Sequence, residues 1–472
     1  MKRLLAGAAL LGTAVSAQAA DLAVKAPYYK APVLAVYDWT GFYFGVNAGI
    51  GLGRNRTEHS FPGNSNDLIY LQPFGGLGGG QIGYNWQTNS SFLGLGPMVF
   101  GLEADIQGAD LTDGRNNLNG LAGITTNFNQ KIDWFATARG RVGLTNGPVL
   151  TYFTGGYAYG NVRTTATETP FVGAPVALTL NRGQGGYVLG SGVEAALGGN
   201  WTGKIEYLYL NLGNRNDAFT TFGTPQNLNT QIRENIFRVG LNYRIGGNNA
   251  YISPPPANWT GFYLGGNFGS GTGRDRTTIT SVGLPAPETF NLAPDGILGG
   301  VQAGYNWQAA NWVFGLEADI QASSQRDNRT CVVSCSALAS AAFDAKLPWF
   351  GTARGRIGYS VGSTLFYATG GYAYGQVKTN TAGISGGVPF TNSVSSTNSG
   401  YAVGGGIETP FTFLGLFGPN WTTKAEYLYV DLGRATNTVA LPVASTATTR
   451  VQEHIFRTGI SYHFNSPVVA KY

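Results

Sequence analysis

Apolar and polar residues alternate one by one over long stretches of this chain. In KIEYLYLNL, Lys204 and Glu206 share one face of an extended strand, while Ile205, Tyr207 and Tyr209 share the other. In IFRVGLNYRI, Phe237, Val239, Leu241, Tyr243 and Ile245 lie opposite Arg238, Asn242 and Arg244. FGLEADIQ sets Phe100, Leu102, Ala104 and Ile106 against Glu103, Asp105 and Gln107. WFATARGRVGL sets Trp134, Ala136, Ala138, Val142 and Leu144 against Thr137, Arg139 and Arg141. A period of two is the mark of β-strands with unlike faces. The pattern predicts an all-β chain, with strands near 41–49, 76–87, 98–108, 131–144, 149–163, 185–197, 200–213 and 233–245.

The same phrases then return in the same order. WTGFYFGVNAGIGLGRNRT at Trp39 becomes WTGFYLGGNFGSGTGRDRT at Trp259. VFGLEADIQ at Val99 recurs unchanged at Val313, and WTGKIEYLYLNLG at Trp201 recurs as WTTKAEYLYVDLG at Trp421. This is a tandem duplication with a period of about 220 residues, far longer than a solenoid repeat. Each copy is expected to carry eight strands, in units 39–245 and 259–464. The join, residues 246–258, holds Pro254-Pro255-Pro256, which favours a stiff extended spacer.

The spacing of the strands points to a membrane. Gaps after strands one, three, five and seven of the first unit are long, whereas those at 145–148 and 198–199 are short. Long loops on one side and tight turns on the other typify outer-membrane barrels, and strands of about ten residues suit a tilted crossing. Trp39, Trp86, Trp134 and Trp201, with Trp259, Trp307, Trp349 and Trp421, fall near strand ends, where an aromatic girdle would sit. Residues 1–19 read as an export signal: Lys2 and Arg3, a short apolar run, then Ala17-Gln18-Ala19 for cleavage. Residues 20–38 would follow as a periplasmic segment and 465–472 as a C-terminal tail. The formal charge of +5, of which Lys2 and Arg3 of the export signal carry two, is too weak to argue for a nucleic-acid partner, while 71 glycines and only 12% charged residues suit tightly packed β-structure.

With WTGFYFGVNAG, GYNWQ, GLEADIQ, ARGRVG, GGYAYG and EYLYLNLG in view, each unit resembles the small eight-stranded outer-membrane β-barrels of alphaproteobacteria, the porin-like surface antigens. The resemblance implies a Gram-negative outer-membrane location, with lipid and lipopolysaccharide around the barrel. It also implies that Arg457-x-Gly459-x-x-Tyr462-x-Phe464 is read by the barrel-assembly machinery. Arg238-x-Gly240-x-x-Tyr243-x-Ile245 is similar but ends in isoleucine.

Candidate chemistry is sparse. Gly358-x-Ser360-x-Gly362 and Gly383-x-Ser385-x-Gly387 match a nucleophile elbow, but no helical pattern follows either. Gly78-x-Gly80-x-x-Gly83 leads into alternating QIGYNW rather than a helix. No metal-ligand spacing occurs, so neither enzyme activity nor a cofactor or metal is expected. Arg54, Arg56, Arg274 and Arg276 follow the first strand of each unit and are candidates for contact with lipopolysaccharide phosphates.

The inward faces carry the most telling set. Glu103, Asp105, Glu194 and Glu206 can balance Arg139, Arg141, Lys204 and Arg238. The second unit repeats every member: Glu317, Asp319, Glu408 and Glu426 with Arg354, Arg356, Lys424 and Arg457. An eight-stranded barrel is just wide enough for side chains to fill, so these read as a polar plug. The expectation is two eight-stranded barrels rather than one sixteen-stranded pore, because each unit has its own charge set and its own terminal strand. The leading function is a structural, surface-exposed outer-membrane protein; the alternatives are a porin or narrow channel, and an adhesin or receptor acting through loops.

Cys331 and Cys335 are the two cysteines of the chain, four residues apart in an expected loop. An exported protein with one such pair is expected to close it as a small disulfide. Thiol labelling of the denatured, unreduced protein should therefore find almost no free thiol; two reactive thiols per chain would refute the pairing.

Overall fold

The computed structural model of the chain describes residues 37–464, apart from residues 61, 171, 386 and 419 and segments 63–66, 92–96, 120–123, 247–256, 282–287, 330–338, 411–416 and 441–443. The expected export signal, most of the linker, the cysteine pair and the C-terminal tail lie outside the described residues.

Strands make up nearly everything else. The first copy comprises β1 (Gly41–Gly53), β2 (Asn55–Ser60), β3 (Asp67–Leu71), β4 (Phe74–Ser91), β5 (Pro97–Asn119), β6 (Ile124–Asn146), β7 (Val149–Pro170), β8 (Val176–Gly198), β9 (Trp201–Thr221) and β10 (Thr224–Ile245). The second comprises β11 (Gly261–Gly273), β12 (Asp275–Ser281), β13 (Glu288–Leu292), β14 (Asp295–Ala309), β15 (Trp312–Arg329), β16 (Ala339–Val361), β17 (Thr364–Ser385), β18 (Val388–Pro410), β19 (Trp421–Ala440) and β20 (Ala444–His463).

Each copy closes on itself. β1 pairs antiparallel with β4 on one side and with β10 on the other, and β11 does the same with β14 and β20. A single sixteen-stranded wall would need β10 to pair with β11, and among the described residues no pairing joins the two sheets. The result is two tandem eight-stranded barrels.

Three details depart from the sequence reading. First, ten strand segments form per copy, because β2 and β3 continue the first hairpin beyond the barrel and β2 pairs with the far half of β10. Second, the strands run to about twice the expected length. Segments 214–232 and 379–399, read as loops, belong to the β9–β10 and β17–β18 hairpins. Their ladders are made by polar residues, such as Ser393, which donates to Asn380 at 2.7 Å, so no apolar alternation marked them. Third, Trp39 and Trp259 are fully buried and belong to no girdle.

On most of the long strands the exposed large apolar side chains cluster in the half nearer the short turns, with Val176, Ile384 and Val388 exposed near the hairpin tips. β7 shows Phe153, Tyr157 and Tyr159 outward, then turns to Thr165 and Thr167. β10 shows Ile245, Leu241 and Val239, and its other half reads TPQNLNTQ. Trp86 and Trp201 mark the band at the turn end, and Trp134 and Tyr159 mark the opposite side. Strands of about 20 residues exceed the ~10 that a crossing needs, so the polar halves stand clear of the band.

The two ends differ in their turns as well. At the turn end, Gly147 (φ 57°) and Gly362 (φ 58°) take the left-handed conformation that two-residue hairpins demand. At the hairpin end, the β9–β10 turn is made by Phe222 and Gly223. The loop lengths predict that the hairpin end faces out of the cell. An epitope inserted at Gly223 should bind antibody on intact cells, and one at Gly147 only after permeabilisation; the reverse staining would invert the topology.

Candidate functional site in the barrel interior

The inward residues of each barrel form a stacked filling. Its centre is the charged set. Arg139, on β6, reaches three carboxylates: Glu103, Asp105 at 2.8 Å and Glu206 at 3.1 Å. Arg238 on β10 meets Glu206 at 2.6 Å and Asp105 at 3.0 Å. Lys204 on β9 lies 3.0 Å from Glu103, and Arg141 lies 3.0 Å from Glu194. All eight side chains are buried. The structure thus brings together every member of the first predicted set.

The second barrel repeats the geometry. Arg354 meets Asp319 at 3.0 Å and Glu426 at 3.2 Å, and it also pairs with Glu317. Arg457 meets Glu426 at 2.6 Å and Asp319 at 2.9 Å. Lys424 lies 3.0 Å from Glu317, and Arg356 lies 2.9 Å from Glu408.

Hydrogen bonds from neutral side chains add to the ion pairs. Tyr43 donates to Glu103 at 2.8 Å, and Tyr152 donates to Glu206 at 2.9 Å. Thr137 donates to Asp105 at 2.7 Å, and Asn242 to Glu194 at 2.8 Å. The Arg141 guanidinium sits 4.6 Å from the Tyr43 ring centre and donates to Asn85 at 2.8 Å. The sequence pattern places Thr137 and Asn242 on the charged faces, but Tyr43, Asn85 and Tyr152 were missed, although Tyr43 and Asn47 share the inward phase of β1. Glycines make room for them: a Cβ at Gly83 would lie 2.2 Å from the Tyr43 hydroxyl, and one at Gly192 would lie 2.6 Å from that of Tyr152.

Apolar layers close the network on both sides. Toward the turns, Trp39 packs with Tyr37, Val99, Leu150 and Tyr152, and its indole donates to the Gly147 carbonyl at 3.1 Å. Trp259 holds the same place in the second barrel, bonded to Ser360 at 3.1 Å. Toward the hairpins, Leu77, Leu111, Phe135, Leu208 and Ile236 form the next layer. A register shift in β6 between Ile132 and Trp134 lets both Ile132 and Phe135 point inward. Beyond it, Ile69 and Leu71 of β3 pack on Phe128 and Leu228. The short β2–β3 hairpin therefore helps to fill the lumen.

The remaining predicted residues scatter. Arg54 and Arg274 are turned toward the other barrel, where Arg54 meets Asp327 at 3.1 Å and Arg274 meets Asp113 at 3.4 Å. Both arginines, expected to meet lipopolysaccharide phosphates, thus have carboxylate partners within the protein. Arg56 and Arg276 stay exposed on the hairpin extensions. In the expected assembly signal, Arg457 is part of the buried network, while Tyr462 and Phe464 meet edge to face at 5.2 Å on the outer wall. No group of three or more metal-ligating side chains occurs among the described residues.

Comparison with known proteins agrees with this architecture. The family described as outer membrane protein beta-barrel domain matches the chain twice, over residues 7–244 and 252–464. The 31 kDa outer-membrane immunogenic protein of Brucella melitensis biotype 1 is 35% identical over 243 residues, covering 49% of this chain and 95% of the relative. The 22 kDa outer membrane protein of Rhizobium leguminosarum bv. viciae is 34% identical over 181 residues, covering 38% of this chain and 66% of the relative. The 25 kDa outer-membrane immunogenic protein of Brucella melitensis biotype 1 is 28% identical over 247 residues, covering 50% and 95%.

Removing Arg139 would leave three carboxylates short of a cation. Breaking a buried pair costs about 3–5 kcal/mol, whereas an exposed charge contributes ~1 kcal/mol or less. Arg139→Ala should therefore lower the temperature at which the protein loses its compact gel migration, and Arg56→Ala should leave it unchanged. Equal behaviour of the two variants would rule out a stabilising network.

Proposed function

The chain belongs to the outer membrane protein β-barrel domain family, and from that premise we propose that it is a structural, non-conducting two-barrel protein whose hairpins are displayed at the cell surface. The observation that carries this reading is the layered filling of each lumen. An ion path would have to pass a buried indole, a neutralised charge layer and an apolar layer in turn. Desolvating an ion through such layers without water or fixed countercharge is costly.

Display at the surface rests on different observations. The polar halves of the strands stand beyond the apolar band, and two of the similar proteins are named as immunogenic. In this reading residues 1–19 direct export and are removed, the assembly machinery recognises the terminal strand ending at Phe464, and the turn end faces the periplasm. Arg56 and Arg276, exposed on the extensions, remain available to lipopolysaccharide phosphates. No catalytic role is assigned: the eight charged side chains of each network neutralise one another.

Conductance separates this function from the porin alternative. Purified protein reconstituted in a planar bilayer should give no steady single-channel steps. Arg139→Ala with Arg354→Ala, which opens both networks, should give small or flickering ones. Large, uniform steps from the unaltered protein would make it a pore.

A further inference from the structure

The two barrels touch through equivalent surfaces. The outward residues Tyr207 of β9 and Phe237 of β10 face Tyr427 of β19 and Phe456 of β20. By the internal repeat, Tyr207 corresponds to Tyr427 and Phe237 to Phe456. Tyr207 stacks on Phe456 with centroids 5.8 Å apart, and Phe237 meets Tyr427 at 5.1 Å. Exchanging the barrels turns one contact into the other. Phe237 also meets its own counterpart, Phe456, at 6.4 Å, as a residue lying on a two-fold axis must.

The rim obeys the same exchange. Arg54 to Asp327 at 3.1 Å maps onto Arg274 to Asp113 at 3.4 Å. A third pair keeps its place but changes its chemistry. Arg54 forms an ion pair with Asp295, whereas Arg274 lies 5.6 Å over the ring of Phe74, the residue corresponding to Asp295. Rim contacts map to rim contacts and band contacts to band contacts, so the pseudo-axis runs along the barrels. Other contacts stand outside the exchange: at the rim Asn291 donates to Asp113 at 3.1 Å and Arg329 lies 3.9 Å over the Tyr70 ring, and nearer the turns Asn146 donates to the Pro410 carbonyl at 3.2 Å.

We propose that this face is a self-complementary docking surface, and that the chain is a covalently tethered dimer held by side-chain contacts rather than by its linker. The partner that each face fits is a second barrel of the same kind. Exposure supports this: on the outward row of β10, Val239 is 57% and Leu241 38% exposed, but Phe237 only 6%. The tyrosine hydroxyls are also provided for within their own barrels, Tyr207 by Asn235 and Tyr427 by His454, each at 2.7 Å. They can therefore be covered without loss. In a bilayer, apolar surfaces gain little by leaving lipid, so association needs close packing and polar contacts. The interlocked rings and the rim arginines supply both.

The test uses the full chain with a protease site inserted in the linker, 246–258. After folding and cleavage in mild detergent, the two halves should elute together. Separation of the unaltered halves would overturn the proposal. In the cleaved protein, Arg54→Asp with Arg274→Asp should raise the separated fraction about tenfold. Phe153→Ala, on the far lipid-facing wall, should not raise it. If the arginine variants lose heat-modifiable migration, Phe237→Leu with Phe456→Leu tests the same face with its apolar character kept. Co-elution that no folded variant on this face weakens would place the contact elsewhere and equally overturn the assignment.

Discussion

Everything in these barrels depends on neutralising charge in a place that water does not reach. Arg139 touches Glu103, Asp105 and Glu206 in one barrel, and Arg354 touches Glu317, Asp319 and Glu426 in the other. Outside the wall is lipid, and above and below the network are apolar layers. None of these charges can turn to solvent, so each needs its partners in place before the lumen closes. The strand count follows: a wider barrel would carry the two sides of the network out of reach of each other.

The same charges define how the strands pair. Glu103 lies directly across from Arg139, Arg238 from Glu206 and Glu194 from Lys204. Glu317, Glu426 and Glu408 face Arg354, Arg457 and Lys424 in the same way. Slipping one strand by a single residue would swap its inward and outward faces. It would also turn arginines and carboxylates toward lipid, where a basic side chain costs about 2–4 kcal/mol at the midplane. Ion pairs that contribute little net stability can still be decisive for register, because every wrong pairing strands a charge.

This explains what was legible in the sequence. Inside the membrane band the inner face is polar and the outer apolar, so strict alternation exposed the charged set, and the repeat showed that it occurs twice. Beyond the band both faces of a strand meet water or polar neighbours, and alternation vanishes. The hairpins around Thr165 and Asn380 therefore looked like loops. Trp39 was misread for a related reason. An indole near a strand end suits either a girdle or a plug, and the choice depends on whether the chain just before the first strand folds into the lumen. Arg54 could be assigned only once a second barrel was beside it, since its partners Asp295 and Asp327 are more than 240 residues away in the chain.

The duplication lets the two kinds of constraint be compared within one molecule. All eight network charges of the first barrel recur in the second, and the neighbours that differ are at its edge: Asn242 becomes Ser461, and Arg244 becomes His463. Where the barrels meet, Phe74 has become Asp295 and Asn235 has become His454. A network in which each group contacts several others has no single substitution that preserves neutrality, so its members are held together. At a face shared by two separate copies, any change enters twice and must suit itself. Once the copies are joined in one chain, a change enters once, and its effect depends on one partner only. Arg54 opposite Asp295, and Arg274 opposite Phe74, are two solutions to one position that only a fused pair can hold at the same time.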